Sequence, residues 1–260
     1  MTNLHTHTYL CKHAVGKPVE YALCAKNTSI TAIGFSDHCP YPDGTWTEVR
    51  MDIQELPLYK SLVSEAKAQS PIPIYLGFEC EWHKRFYSYF KDTLISEFGA
   101  QYLVLGSHWV DIDNEFIYIP KVHDKKALLR YLNLTIQGME TGLFAFLAHP
   151  DLFLEHVEDI TSFHIDIAKK LIEASIALNI PIEINGNGCT RKLIERNGTL
   201  EYRYPATSFW TIARNMNAHI IVSADAHSPE ALVENTKLAY DFAHQLGIQV
   251  DNDFTPVLNL

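Results

Sequence analysis

The chain has 260 residues, 47% of them hydrophobic, which is enough for a sizeable core and suits one α/β barrel domain spanning residues 1 to 260. A formal net charge of -10 removes any electrostatic reason to bind a nucleic-acid backbone or an anionic membrane, so an anionic ligand needs a local basic patch. The residues before His5 show neither a charged n-region nor an apolar h-region, no apolar run nears the roughly 18 residues that span a bilayer, and the five cysteines (Cys11, Cys24, Cys39, Cys80, Cys189) lack CxxC spacing; these features argue against a membrane anchor, a disulfide framework and a thiolate zinc knuckle, and predict a cytoplasmic protein.

In chain order, NLHTH reads as a short first strand and TAIGFSDH (31 to 38) as a second. A helix is predicted over 52 to 69, where Leu56, Tyr59, Val63 and Ala66 recur at three- and four-residue steps after Asp52 and Glu55, spaced as a capping box. IPIYLGFECEW (72 to 82) and YLVLGSHWV (102 to 110) follow as the third and fourth strands. The next helix, 125 to 141, carries Leu128, Leu132, Ile136 and Met139 on one face, with Asp124 as N-cap and Gly142 as stop. LFAFLAHPD (143 to 151), IPIEIN (180 to 185) and HIIVSADAHS (219 to 228) complete the strands, and a last helix opens at Ser228 and Pro229 and closes near Gly247. Strands alternating with helices predict a parallel sheet covered on both faces. Two stretches without period, 39 to 51 and 186 to 208, are expected as loops at the C-terminal ends of strands, where function concentrates in barrels.

Nearly every candidate strand ends in a side chain able to bind a metal. His5 and His7 follow the first strand, Asp37 and His38 the second; Glu79 and Glu81 lie in the third; His108 follows the fourth, His149 the fifth, and Asp225 with His227 the seventh. The sixth ends at Glu183 and Asn185, without an imidazole. His83, His123, His156, His164, His219 and His244 fall elsewhere and are expected to be ordinary surface or core residues. Parallel strands deliver their C-terminal ends to one rim, so residues far apart in sequence would meet there. Two histidines at i and i+2 on an extended segment project to one side and can share an ion. Imidazole and carboxylate together suit zinc, manganese or iron better than calcium or magnesium.

The motifs HTHT with His13 six residues beyond His7, SDH, GFECE, GSH, AHPD and SADAHS, in this order, resemble those of the polymerase and histidinol phosphatase (PHP) superfamily, and most of all its stand-alone histidinol-phosphate phosphatases. The resemblance runs from His5 to Ser228. It implies a distorted (β/α)7, TIM-like barrel with three divalent ions (Zn, Mn or Fe) at the C-terminal rim. Position by position it implies that His5, His7, Glu79 and Asp225 hold one ion, that Glu79 bridges to a second completed by His108 and His149, and that His13, His38 and His227 hold the third. The implied reaction is hydrolysis of a small phosphomonoester, L-histidinol phosphate, to L-histidinol and phosphate in histidine biosynthesis. The nucleophile would be a metal-bridging hydroxide whose parent water is acidified from about 15.7 toward about 7. Beside Glu79, Asp225 or His227 would accept or relay a proton, and His227 would protonate the leaving alkoxide.

Substrate contacts are less marked. The 186 to 208 stretch holds Arg191, Lys192, Arg196 and Arg203 against Glu195 and Glu201, a local basic excess suited to phosphate; the resemblance makes Arg191 the first choice, while these charges also fit plain solvation of a long loop. The cationic amine of histidinol phosphate calls for a carboxylate, with Asp37, Glu81, Asp43 and Asp111 as candidates; Glu81 reads equally as a partner that orients a metal-bound histidine. Trp46, Trp82, Trp109 and Tyr118 are the aromatics available to stack on the imidazole. Two other readings stay open: a phosphoesterase of the same superfamily acting on nucleotides or other small esters, and a module that binds metal without catalysis.

Overall fold

Each strand stretch is short and β-branched or aromatic, and each pairs with the next one along the chain or with the one beyond an intervening hairpin. The structure, a computed structural model, describes residues 1–113, 115–196 and 198–255. Its strands are β1 (Thr2–Asn3), β2 (Ala32–Phe35), β3 (Ile74–Cys80), β4 (Tyr102–Gly106), β5 (Trp109–Ile112), β6 (Glu115–Tyr118), β7 (Phe146–Ala148), β8 (Ile182–Asn185), β9 (Ile194–Arg196), β10 (Thr199–Glu201) and β11 (Ile220–Ser223). Seven of them form one sheet in the order β1-β2-β3-β4-β7-β8-β11, with every pair parallel. A parallel bridge between Thr6 and Ala226 brings its two ends together into a nearly closed barrel, so the chain after β1 runs beside the chain after β11. The helices α1 (Pro18–Cys24), α2 (Leu56–Gln69), α3 (Lys125–Glu140), α4 (Ser162–Ala177), α5 (Thr207–Asn215) and α6 (Pro229–Gln245), with a π-helical segment over Tyr89–Glu97, complete the seven strand-to-helix units. The expected distorted (β/α)7 barrel is the observed architecture.

Two apolar layers hold it. Inside the barrel, Leu4, Tyr102, Val104, Phe146, Ala148 and Ile221 pack together. Tyr102, the first residue of β4, fills that space and donates its hydroxyl to Leu4 O at 2.8 Å. A Cβ at Gly34 or Gly77 would stand 2.2 or 2.4 Å from the Tyr102 side chain, so both strands pass it only as glycine. Outside, Tyr59, Val63 and Ala66 of α2 and Leu128, Leu132 and Met139 of α3 are buried in the main core, each large side chain contributing about 1.5–3 kcal/mol. The predicted punctuation is present: Asp52 and Glu55 cap each other's backbone, Asp124 accepts from Ala127 N, Ser228 accepts from Ala231 N, and Gly142 and Gly247 take φ of +69° and +63°.

Two expectations are corrected. The fourth strand ends at Gly106; His108 lies in the break, and Trp109 starts an antiparallel hairpin, β5–β6, because Trp109, Val110 and Ile112 also alternate and find a partner in the following segment. The 186 to 208 stretch is not a plain loop, since it contains the β9–β10 hairpin and leads into α5. Helices α1, α4 and α5 and the π-helical segment were not predicted; α4 does have a capping box, but its reciprocal partner to Thr161 is His164 instead of Glu or Gln. Among the described residues no helix is long and apolar enough to cross a membrane.

Candidate metal centre

Glu79 stands at the middle of the rim. It leaves β3 in register with Val104 of β4, and its carboxylate passes Gly106 of the same strand, where any Cβ would lie 2.3 Å from Glu79 Oε1; the glycine makes room for the carboxylate. Oε1 faces His149 Nε2 at 2.9 Å and His108 Nε2 at 3.6 Å. Oε2 faces His38 Nδ1 at 2.9 Å, His5 Nε2 at 3.4 Å and His7 Nε2 at 3.6 Å. The barrel-closing bridge sets Asp225 beside the same two histidines, its Oδ1 3.0 Å from His7 Nε2 and 3.6 Å from His5 Nε2. His7 also adjoins the rings of His38 and His227 at 4.3 and 4.4 Å, and His13 lies 5.2 and 5.0 Å from those two rings. All of the residues named as ligands from the sequence therefore meet on one rim.

Most of these side chains are held by a further polar group. Glu183 of β8 accepts from His5 Nδ1 at 2.9 Å and from the His149 backbone N–H at 3.2 Å. Asn185 donates to Glu183 and to Asp225 Oδ2, and Asn187 donates to Asp225 Oδ2 as well. The sixth strand, which has no imidazole, thus supplies orientation. Glu81 does the same for His108: its Oε1 is 2.5 Å from His108 Nδ1, its Oε2 accepts the His108 N–H, and Arg50 Nη2 holds Oε1 from behind at 3.3 Å. His13 Nδ1 and His227 Nδ1 are tied to the backbone oxygens of Cys11 and Asp225, which leaves Nε2 free in both. Asp37 accepts from Thr8 N and Thr8 Oγ1 and stands 3.6 Å from His7 Nδ1. His149 and Asp225 sit in the left-handed backbone region, φ +30° and +49°, a strain the flanking hydrogen bonds sustain.

The charges are mutually dependent. Burial lowers His5 and His7, but the carboxylates of Glu183, Glu79 and Asp225 raise His5 well above the ordinary imidazole value, and Asp225 and Asp37 bring His7 up to about 9. Burial and the neighbouring His7 charge hold His38 well below its ordinary value and His227 at about 4. In this metal-free balance His227 is neutral at pH 7, whereas His5 and His7 carry protons that a bound cation would displace. Although burial disfavours their charge, Glu79 and Asp225 stay well below the usual carboxylate range because imidazoles surround them.

Divalent cations fit this donor set. His5 Nε2, both ring nitrogens of His7 and Glu79 Oε2 are buried without a hydrogen-bond partner among the described residues, each an omission that costs about 1–3 kcal/mol in a protein interior. His5, His7 and Asp225; His5, Glu79 and His149; and His7, His38 and His227 form groups whose ligand atoms lie within 4.8 Å of one another. Cys11 joins His13 and His227 in a fourth such group, its thiol pushed up by burial and by Asp37 and so kept protonated; sequence reasoning assigned it no role beyond filling space.

A cavity of about 240 Å³ opens over the centre, lined on the metal side by His13, His38, His108, His149, Asp225 and His227 and on the other by Arg50, Trp109, Tyr118, Leu152, Asn187, Arg191 and Tyr204. Of the basic residues expected at the substrate, only Arg191 lines it. Lys192 is exposed and outside the lining, and Arg196 is spent elsewhere: it is buried and donates to the carbonyls of Val157, Leu154, Tyr202 and Arg203 and to Glu201, which fastens the β9–β10 hairpin to the turn after β7. Arg203 likewise bonds Lys192 O, Glu155 O and His156. The four candidate amine carboxylates are committed too, Asp37 to Thr8, Glu81 to His108 and Arg50, Asp43 to Arg85 and Thr45, and Asp111 to Arg130 and His83. Of the aromatics, Trp109 and Tyr118 line the cavity; Trp46 backs Trp109, and Trp82 packs against Phe90 and Phe144. Arg50 was missed because a buried arginine has no local sequence signature.

The family model described as the PHP domain matches residues 3–187. The chain belongs to the PHP domain family. This PHP chain is 25% identical over 237 residues to a Deinococcus radiodurans protein named probable histidinol-phosphatase, the match covering 86% of this chain and 85% of the other. Two solved structures share the fold with TM-scores of 0.70. The first, described as a candidate histidinol phosphatase HisK from Listeria monocytogenes, is 16% identical, and the match covers 89% of this chain and 97% of that one. The second, histidinol phosphate phosphatase from Lactococcus lactis in complex with zinc, L-histidinol and phosphate, is 14% identical, with 96% of this PHP chain and 94% of that chain covered.

Proposed function

We propose that the protein is a metal-dependent phosphomonoesterase that hydrolyses L-histidinol phosphate to L-histidinol and phosphate, a step of histidine biosynthesis. The observation that carries the reading is the Glu79-centred set of imidazoles and carboxylates at the floor of a cavity whose opposite wall holds Arg191, which among the described residues has no carboxylate within ion-pair distance. The names of the similar proteins support the same substrate.

His5, His7, Glu79 and Asp225, then Glu79, His108 and His149, then His13, His38 and His227 would hold three divalent ions, with Zn, Mn and Fe all compatible with nitrogen and oxygen donors. Bound there, such ions neutralise phosphate oxygens and acidify water to a nucleophile at neutral pH. The protein's own work is placement. Arg191 presents its planar fork to the phosphate from the loop side. Asp225, whose Oδ2 is held by Asn185 and Asn187, keeps a carboxylate oxygen turned to the centre that is able to take a proton from the attacking water. Trp109 and Tyr118, with ring centroids 5.3 Å apart, form an apolar wall for the heteroaromatic leaving group.

The test is phosphate release from L-histidinol phosphate beside a panel of nucleotides and sugar phosphates, with metal content determined on the same sample. A strong preference for histidinol phosphate with close to three ions per chain is expected. Turnover confined to other esters would replace the substrate and leave the chemistry; metal-loaded protein inert on every ester would favour a non-catalytic module.

A further inference from the structure

Glu155 is a carboxylate without a partner in a place where one is scarce. It follows the 3-10 turn Leu152–Leu154, just after His149, and is 8% exposed. Its hydrogen bonds are those of its backbone, N–H to Leu152 O and carbonyl from Arg203 Nη1; among the described residues its carboxylate takes neither a hydrogen bond nor an ion pair. Buried glutamates are rarely left so, because the charge must find a counterpart or be neutralised.

Its position tells which way it looks. Side chains at i and i+3 of a 3-10 turn eclipse one another, and Leu152, three residues before Glu155, lines the cavity over the metal centre. The charge of Glu155 also reaches Tyr118, Tyr204 and Arg191, three other residues of that lining, where it adds to burial in raising both tyrosine hydroxyls. Arg191 lines that end of the cavity, and Glu155 stands just outside the lining, three residues along the turn from Leu152 and within electrostatic reach of Arg191. All four carboxylates favoured for an amine from the sequence are occupied.

We propose that Glu155 is a specificity-determining residue that binds a protonated amine on the carbon next to the phosphoester-bearing carbon, so that the site selects phosphomonoesters of vicinal amino alcohols. The inference rests on the histidinol phosphate reading and sharpens it. In such an ester the nitrogen and the ester oxygen are separated by only two carbons, so the ammonium and the phosphate must be met by groups on the same wall. Arg191 and Glu155 satisfy that demand, and opposite charges on the two ligand groups keep Glu155 from repelling the substrate as it would a simple phosphate dianion.

The experiment compares L-histidinol phosphate with 3-(imidazol-4-yl)propyl phosphate, the same ester without its amine, in the metal-loaded wild-type protein and in Glu155→Gln and Glu155→Asp, after metal content and thermal midpoint have been matched. Wild type should prefer the amine ester, and Glu155→Gln should lower kcat/KM for it by about 10- to 100-fold, chiefly through KM, while leaving the amine-free ester within about twofold. Glu155→Asp, which keeps the charge, should recover part of the preference. Equal loss on both esters would make Glu155 a structural support for Arg191 and Tyr118 and overturn the proposal; so would no loss on either. Should Glu155→Gln fail to fold, wild-type inhibition by L-histidinol and by its deamino analogue decides, with equal inhibition overturning the proposal. Wild-type inactivity on both esters would bring down the histidinol phosphate reading, and this inference with it, whereas good wild-type turnover with a Glu155→Gln variant that keeps the wild-type preference would bring down Glu155 alone.

Discussion

The two walls of the cavity are built in different ways. The metal wall is made of strand ends and the residues just beyond them, and His5, His7, Glu79, His149 and Asp225 are buried there, with His5, His149 and Asp225 fixed further by Glu183 and Asn185 on β8. The loop wall is made of connections, Trp109 and Tyr118 from one hairpin and Arg191 and Tyr204 from the segment around another, and Arg191 is exposed. A rigid, shared wall can carry chemistry that needs sub-ångström placement, while the connections can change without disturbing it. Reaction and selection should accordingly separate under mutation.

The largest effect belongs to the centre of the metal wall. Glu79→Ala should lower turnover by on the order of 10⁴-fold or more and reduce bound metal, because the one carboxylate between the two halves of the site is lost. Gly106→Ala should approach it with the barrel still folded, since the new Cβ would sit 2.3 Å from Glu79 Oε1; metal analysis with circular dichroism checks this, and full activity in that variant would mean that Glu79 is not confined as described. Extensive chelation should abolish activity and lower the thermal midpoint, with both restored by zinc, manganese or iron, as expected when an ion binds only the folded chain.

Intermediate effects should come from the residues that orient the histidines. Glu183→Gln and Glu81→Gln each keep shape and lose charge at a bond to an imidazole Nδ1, and a fall of about 10- to 100-fold in metal affinity is expected for either, measured by competition with a chelating dye.

The smallest catalytic effects, and the clearest division, lie on the loop wall. Arg191→Ala should raise KM about 10- to 100-fold with an unchanged thermal midpoint. Arg196→Ala should do the reverse, costing on the order of 2–4 kcal/mol of stability by stripping buried carbonyls of their donor, with kcat/KM of the folded protein nearly intact. If Arg196→Ala left the denaturation midpoint alone and impaired substrate binding, the division between the two arginines would be mistaken.

The frame of this molecule was readable because it depends on local pattern. Alternating apolar strands and capped amphipathic helices announce a parallel α/β barrel, and in a parallel barrel a histidine or carboxylate at a strand end has a known destination, which is why His5, His38, His108, His149 and Asp225 could be placed on one rim from spacing and motif. What escaped is whatever depends on a partner far along the chain. Arg196 and Arg191 look alike five residues apart, and only the fold sends one to the carbonyls of Leu154 and Val157 and the other to the cavity. Glu81 and Glu183 became orienting residues because hydrogen bonds formed between different strand ends, and among the described residues Glu155 kept a bare carboxylate because none did. Side-chain pairing is a property of three-dimensional proximity, so the sequence by itself determined which groups reach the rim, and only the tertiary structure decided which of them are spent on each other and which are left to meet a ligand.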